Sequence, residues 1–198
     1  MNWQTRQTLL QRAKDPNNAQ AWEEFTSYYK QFIHVVLHQM NFRSADFDDA
    51  VQEIMIKIWQ NLPKFEHDPN RGQFRTWLSR VIRNRLIDFI KQDSRYKKRV
   101  EKATEQYLEE EKLLPESELE KLVTKEWEKH ITTCALNNVK ELFSGSAIKA
   151  FELSLLGKHP KEISETLNIK QDSVRTLKNR VQLRLIKEIE SLRADLEF

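Results

Sequence analysis

The sequence predicts an all-α protein made of two small helical domains joined by an acidic linker. Apolar residues recur at three- and four-residue spacing through most of the chain, and no stretch alternates convincingly with period two. Proline and polar clusters divide that pattern into helix-sized pieces. Charge falls in blocks: residues 71–99 hold ten basic and two acidic side chains, 101–128 ten acidic and four basic, and 158–187 eight basic and three acidic. Two cationic segments flanking an anionic one suit a ligand with two separated phosphate-bearing contact sites, because each basic patch neutralises phosphates and releases counterions. The competing reading of such blocks is solvated helix faces.

Composition narrows the classes further. With three glycines in 198 residues, a Gly-rich phosphate cradle or dinucleotide fingerprint has no material. The one cysteine, Cys134, forms no internal disulfide and suits a reducing compartment. No apolar run approaches the ~20 residues that cross a bilayer, and the opening residues lack the apolar stretch of a signal peptide. The expectation is a cytoplasmic protein without a cofactor, a metal or a membrane anchor.

The first domain is expected over residues 1–95. Asp15-Pro16-Asn17-Asn18 breaks and caps, after which Trp22, Phe25, Tyr29, Phe32, Val36, Leu37 and Met40 describe one helix face. An acidic helix start at 44–49 leads to a stripe of Val51, Ile54, Met55, Ile58 and Leu62, widened by Ile56 and Trp59, and Pro63 ends it. A polar loop from Lys64 to Gly72 precedes a helix carrying Phe74, Trp77, Leu78, Val81, Ile82, Leu86, Phe89 and Ile90. Residues 96–129 read as an acidic, partly helical linker, with Ser117 and Glu120 at capping-box spacing.

In the second domain, 130–198, a short helix follows Pro160 through Leu167, Asn168-Ile169-Lys170 makes a tight turn, and a long helix starts near Gln171. Val174, Leu177, Val181, Leu185, Ile189 and Leu192 form its buried face. This is the sequence form of a helix-turn-helix, whose second helix enters the major groove; an ordinary helical hairpin is the alternative.

At this point the chain resembles a family. Asp48-Asp49-Ala50-Val51-Gln52-Glu53-Ile54-Met55-Ile56-Lys57-Ile58-Trp59 resembles the polymerase-docking helix of bacterial RNA polymerase sigma factors. Phe65-Glu66, then Arg71-Gly72-Gln73-Phe74-Arg75-Thr76-Trp77-Leu78 and Val81 to Asp88, resemble the promoter-melting segment that follows it. With the helix-turn-helix further on, the order is similar to that of the extracytoplasmic-function (ECF) group, over roughly residues 5–92 and 130–190. Ile82 stands where the family commonly has alanine, Asn168 where it has glycine, and His159-Pro160 replaces a polar cap and aromatic pair.

The resemblance implies a first domain that docks on core RNA polymerase and melts promoter DNA, and a second that reads the upstream element. For minus-ten DNA it points to Asn70, Arg71, Arg75, Trp77, Arg80, Arg83, Asn84 and Lys91, with Arg85 also on the sugar-phosphate backbone. For minus-thirty-five DNA it points to Lys170, Gln171, Ser173, Arg175, Thr176, Lys178, Asn179 and Arg180. Asp49, Gln52, Glu53, Lys57 and Gln60 would rim the polymerase-binding ridge. Core RNA polymerase and promoter DNA are the implied partners, with an anti-sigma factor as a further candidate. Plain core packing competes with base stacking for Trp77 and Phe74.

Other constellations carry less. His34 and His38 have metal-ligand spacing without a third ligand, Asp46, Asp48 and Asp49 are explained by a helix start, and Cys134 has no evident activating partner in the sequence. The protein is read as a non-enzyme. A stand-alone helix-turn-helix repressor or activator is the alternative function; a nucleic-acid-processing enzyme and a protein-binding adaptor are more distant rivals.

Overall fold

The computed structural model describes residues 8–40, 42, 47–66, 74–100, 114–143 and 145–196, with backbone alone at 90 and 92–100. Among these residues it is all-helical, without strands. The helices are α1 (Leu9–Ala13), α2 (Ala19–Gln39), α3 (Phe47–Asn61), α4 (Phe74–Val100), α5 (Glu116–Leu142), α6 (Ser146–Leu155), α7 (Pro160–Leu167) and α8 (Gln171–Leu196). No described helix is long and apolar enough to cross a membrane. The chain divides into one unit of residues 1–128 with 195–198, and another of residues 129–194.

In the first unit, Asn18 caps α2 by accepting the Ala21 amide at 3.0 Å. Helix α2 buries Phe25, Tyr29, Phe32, Ile33, Val36 and Leu37, whereas Trp22 and Met40 are half-buried. Asp48 and Asp49 occupy the first turn of α3, where the helix dipole favours anions. That helix buries Val51, Ile54, Met55 and Ile58 and ends at Asn61; Pro63 lies in the following 3₁₀ turn, Leu62–Lys64. Helix α4 closes the core with Phe74, Leu78, Ile82 and Leu86. Phe74 meets Phe25, Tyr29 and Phe65 edge-on, with centroids 5.4–6.4 Å apart. Phe74 is therefore a core residue rather than a base-stacking face. Ile82 is fully buried among these side chains.

The expected linker differs in the structure. Helix α4 continues to Val100, and residues 101–113 lie outside the described residues. Helix α5 then begins at Glu116, and its first thirteen residues are part of the first unit. Leu119, Val123 and Trp127, at i, i+4 and i+8, are buried there. Trp127 stacks on Tyr29 at 4.9 Å and meets Phe32 edge-on at 5.0 Å. The expected Ser117–Glu120 capping box is replaced. The Pro115 carbonyl accepts from the Glu118 and Leu119 amides, while the Glu120 carboxylate accepts from the Thr76 hydroxyl. The last turn of α8 also joins this unit: Asp195 accepts the Leu9 amide at 3.0 Å, and the Tyr29 hydroxyl donates to the Leu196 carbonyl at 2.8 Å.

In the second unit, Val139, Ala147, Phe151 and Val181 form one buried cluster, and Ala150, Ile163 and Val174 a second. Half-buried Leu177 packs against both. His159 caps α7 through its ring nitrogen, 3.3 Å from the Lys161 amide, and the Glu162 carboxylate accepts the His159 amide at 2.8 Å. A histidine thus serves as the polar cap. Asn168 ends α7 in the left-handed conformation, φ 51° and ψ 48°, as expected of this turn. The Ser164 hydroxyl ties the turn by donating to the Ile169 carbonyl at 2.7 Å.

The left-handed backbone at Asn168 gives a checkable energy. Asn168→Gly is expected to raise stability by up to about 1 kcal/mol, because glycine lacks the Cβ that crowds the following carbonyl in this conformation, whereas Asn168→Ala keeps that Cβ, loses the polar side chain that eases the conformation, and is expected to cost about 0.5–1 kcal/mol. Urea denaturation of the two variants measures the difference.

Candidate nucleic-acid interface

Helix α4 presents a stripe opposite its core face. Trp77, Arg80, Asn84 and Lys91 are spaced by three, four and seven residues, which places them along one side of the helix. Arg80, Asn84 and Lys91 are exposed. Trp77 is half-buried, its ring 5.2 Å from both Phe65 and Phe74, so it covers the aromatic core and keeps part of its surface outward. Arg75 and Arg83 lie off this stripe and are half-buried, and the Arg83 Nε is buried without a hydrogen-bond partner among the described residues. Asn70 and Arg71 lie outside the described residues.

Arg85 and Arg80 are engaged by acids. Arg85 turns inward, ion-paired with Glu53 on α3 and 3.7 Å from Asp88. Only 16% exposed, it is a brace between α3 and α4, which corrects its expected place on the DNA backbone. The pairing also removes Glu53 from the outward rim of α3. Arg80 keeps an outward position but donates from Nε to Glu116 of α5 at 2.8 Å.

The outer face of α3 carries Asp49, Gln52, Ile56, Trp59 and Gln60 at spacings of three and four, all exposed, with exposed Lys57 beside them. Ile56 and Trp59 are each 44% exposed while Ile54, Met55 and Ile58 of the same helix are buried. The widened apolar stripe seen in the sequence therefore divides into a core side and an outer apolar pair ringed by polar groups.

In the second unit, the turn and first turns of α8 expose Lys170, Gln171, Arg175, Thr176, Asn179 and Arg180, with Ser173 and Lys178 half-buried. The Lys170 carbonyl starts the helix by accepting the Ser173 amide at 2.9 Å. Val174, held by Ala150 and Ile163, fixes the inner side, so Arg175 and Asn179, one turn apart, face outward together. Arg180 lies over the Phe143 ring at 6.0 Å, which anchors its guanidinium toward the end of α5.

The tempting alternative sites have packing explanations. The His34 and His38 rings pack on Phe47 at 5.0 and 4.7 Å, and His34 Nε2 is 3.2 Å from Asp48. Among the described residues no group of three His, Cys, Asp or Glu side chains could hold a metal ion; Asp46 lies outside them. Cys134 does have a neighbour, His130, with Sγ 3.6 Å from Nε2. Burial nevertheless pushes the thiol pKa up, the opposite of what an activated nucleophile needs. The sequence reading missed Glu116, Glu120 and Trp127 as parts of the first unit. Their signal was the apolar repeat Leu119, Val123, Trp127 inside an acidic segment.

Among the described residues, an all-helical fold carries outward basic side chains on two helices, one following a tight turn after a short helix, which is the kind of surface that suits a nucleic acid. In a comparison with known proteins, residues 25–96 match the model of sigma-70 region 2. Over 85 residues the chain is 25% identical to an ECF RNA polymerase sigma factor, RpoE, of Cereibacter sphaeroides, covering 43% of this chain and 46% of that protein. Over 59 residues it is 30% identical to a probable RNA polymerase sigma factor of Haemophilus influenzae, covering 29% of each. The aligned part spans less than half the length of these curated relatives. The matches bear out the resemblance to ECF-type sigma factors.

Proposed function

We propose that this protein is a transcription initiation factor that binds core RNA polymerase, directs it to specific promoters and helps open the DNA. The match of residues 25–96 to sigma-70 region 2 carries this reading. In it, the Ile56–Trp59 ridge of α3, with Asp49, Gln52, Lys57 and Gln60 around it, docks on the polymerase. Arg75, Arg80, Arg83, Asn84 and Lys91 of α4, with Asn70 and Arg71 before it, hold the minus-ten DNA. Trp77 contributes its outward surface, since an aromatic face holds an unstacked base without sequence demands.

The second unit reads the upstream element through Lys170, Gln171, Ser173, Arg175, Thr176, Lys178 and Asn179. Arg180, anchored on Phe143, braces that surface and reaches phosphate at its edge. The domain assignment proposed is a promoter-melting domain from the N-terminal end to about 128 and an upstream-element domain from about 129. The protein performs no chemistry of its own; the polymerase does. An anti-sigma factor covering α3 or α4 is a regulator compatible with this reading.

Purified core RNA polymerase is expected to transcribe from a subset of genomic promoters only when the protein is added, with start sites mapped by sequencing. No gain over core enzyme alone rejects the proposal. Tight, specific duplex binding by the free protein without polymerase favours a stand-alone repressor or activator instead. Arg175→Ala is expected to weaken upstream-element binding by about 1–3 kcal/mol, roughly ten- to a hundredfold. Its exposed position predicts an unchanged urea midpoint, and titration of labelled promoter fragments reads the loss.

A further inference from the structure

The acidic start of α5 does more than follow α4. Glu120 accepts from Thr76, and Glu116 accepts from Arg80 at 2.8 Å. The pairs 116 with 80 and 120 with 76 run in opposite directions, so α5 passes antiparallel along one edge of the α4 stripe. Both contact pairs have the i, i+4 spacing of one helix face. Leu119, Val123 and Trp127 anchor this run of α5 from the buried side, which holds the two carboxylates in place. A third carboxylate, exposed Glu118, lies in the same turn.

We infer that the first turn of α5 is a built-in mask. Its Glu116 carboxylate occupies the Arg80 guanidinium that a DNA phosphate needs, and DNA must displace it to bind α4. A carboxylate and a phosphate oxygen compete for the same donor, and the neighbouring Glu118 repels an approaching phosphate. The mask is partial. Arg80 and Glu116 are both 54% exposed, and exposed ion pairs are weak. The free protein therefore binds DNA a few-fold more weakly than it would without the Glu116 carboxylate. The inference rests on the proposed role of α4 in holding promoter DNA.

A double-mutant cycle on the full-length protein tests it, with titration of a fluorescein-labelled single-stranded oligonucleotide at low salt as the readout. Glu116→Gln is expected to tighten binding about two- to fivefold. Glu118→Gln removes the same charge from the same turn without touching Arg80, and is expected to give a smaller change. Arg80→Gln weakens binding, and adding Glu116→Gln to it produces only the smaller, charge-removal gain seen with Glu118→Gln. Equal effects of E116Q and E118Q, or an undiminished E116Q effect in the R80Q background, overturn the mask while leaving the DNA role of α4 intact. An R80Q protein that binds like the parent overturns both.

Discussion

Trp127→Ala is expected to lower the stability of the first unit by about 3–5 kcal/mol, the largest stability effect anticipated for this chain. The indole is 1% exposed, stacked on Tyr29 and edge-on to Phe32, so its removal leaves a cavity that the flanking helices cannot readily close. The two views of residues 116–128 diverge sharply here. A tryptophan in a solvated linker costs within about 0.5 kcal/mol when truncated, whereas one inserted between aromatic rings costs several. Urea denaturation followed by far-UV circular dichroism measures it, and half-buried Trp22→Ala serves as a milder reference. A shift of the midpoint no larger than that of the reference would show that α5 does not hold the core.

On the proposed role of α3 in docking on core RNA polymerase, Trp59→Ala is expected to weaken that complex by about 2 kcal/mol or more, some thirtyfold, while changing the unfolding midpoint far less. Tryptophans at the centre of an apolar patch with a polar rim dominate interfaces because they bury a large area on association. At 44% exposure, Trp59 leaves much of that area uncovered in the free protein. Ile56→Ala on the same face should produce a smaller loss of the same kind. Binding is read by fluorescence anisotropy of labelled protein titrated with core enzyme. Parent-like affinity of both variants would remove α3 as the docking element. Glu53→Gln provides the contrast: it breaks the ion pair with Arg85, so its effect should appear in stability before it appears in polymerase binding.

These two residues also show where sequence reasoning reached and where it stopped. The α3 stripe was visibly too wide for one core contact, and the structure leaves Ile56 and Trp59 outward while Val51, Ile54, Met55 and Ile58 turn in. A helical wheel alone gives that division, because it depends only on the 3.6-residue period. Trp127 is different. Its apolar neighbours Leu119 and Val123 were present in the sequence, but the surrounding acids outweighed them. Nothing local showed that Tyr29 and Phe32 left room for another ring. Arg85 was grouped with the DNA-facing bases for the same reason. Ten residues on from Arg75, it lies about 80 degrees round the helix, and that offset matters only once α3 is placed beside α4 with Glu53 opposite.

Helices α2, α3, α7 and α8, the start of α4, the breaks at Asn18 and Pro63, the tight turn with a left-handed Asn168 and the cationic faces of α4 and α8 all follow from the sequence alone. Each is set by interactions among residues a few positions apart: periodic burial, capping hydrogen bonds, and the restricted backbone of proline and of left-handed residues. Only the tertiary structure decided that the start of α5 lies on α4, that Glu53 and Arg85 neutralise each other, and that Asp195 and Leu196 close on α1 and α2. Those contacts join residues far apart in the chain. Which surfaces remain to be covered, and which charges then meet, is fixed by packing after the helices have formed, and that information is distributed over all of them.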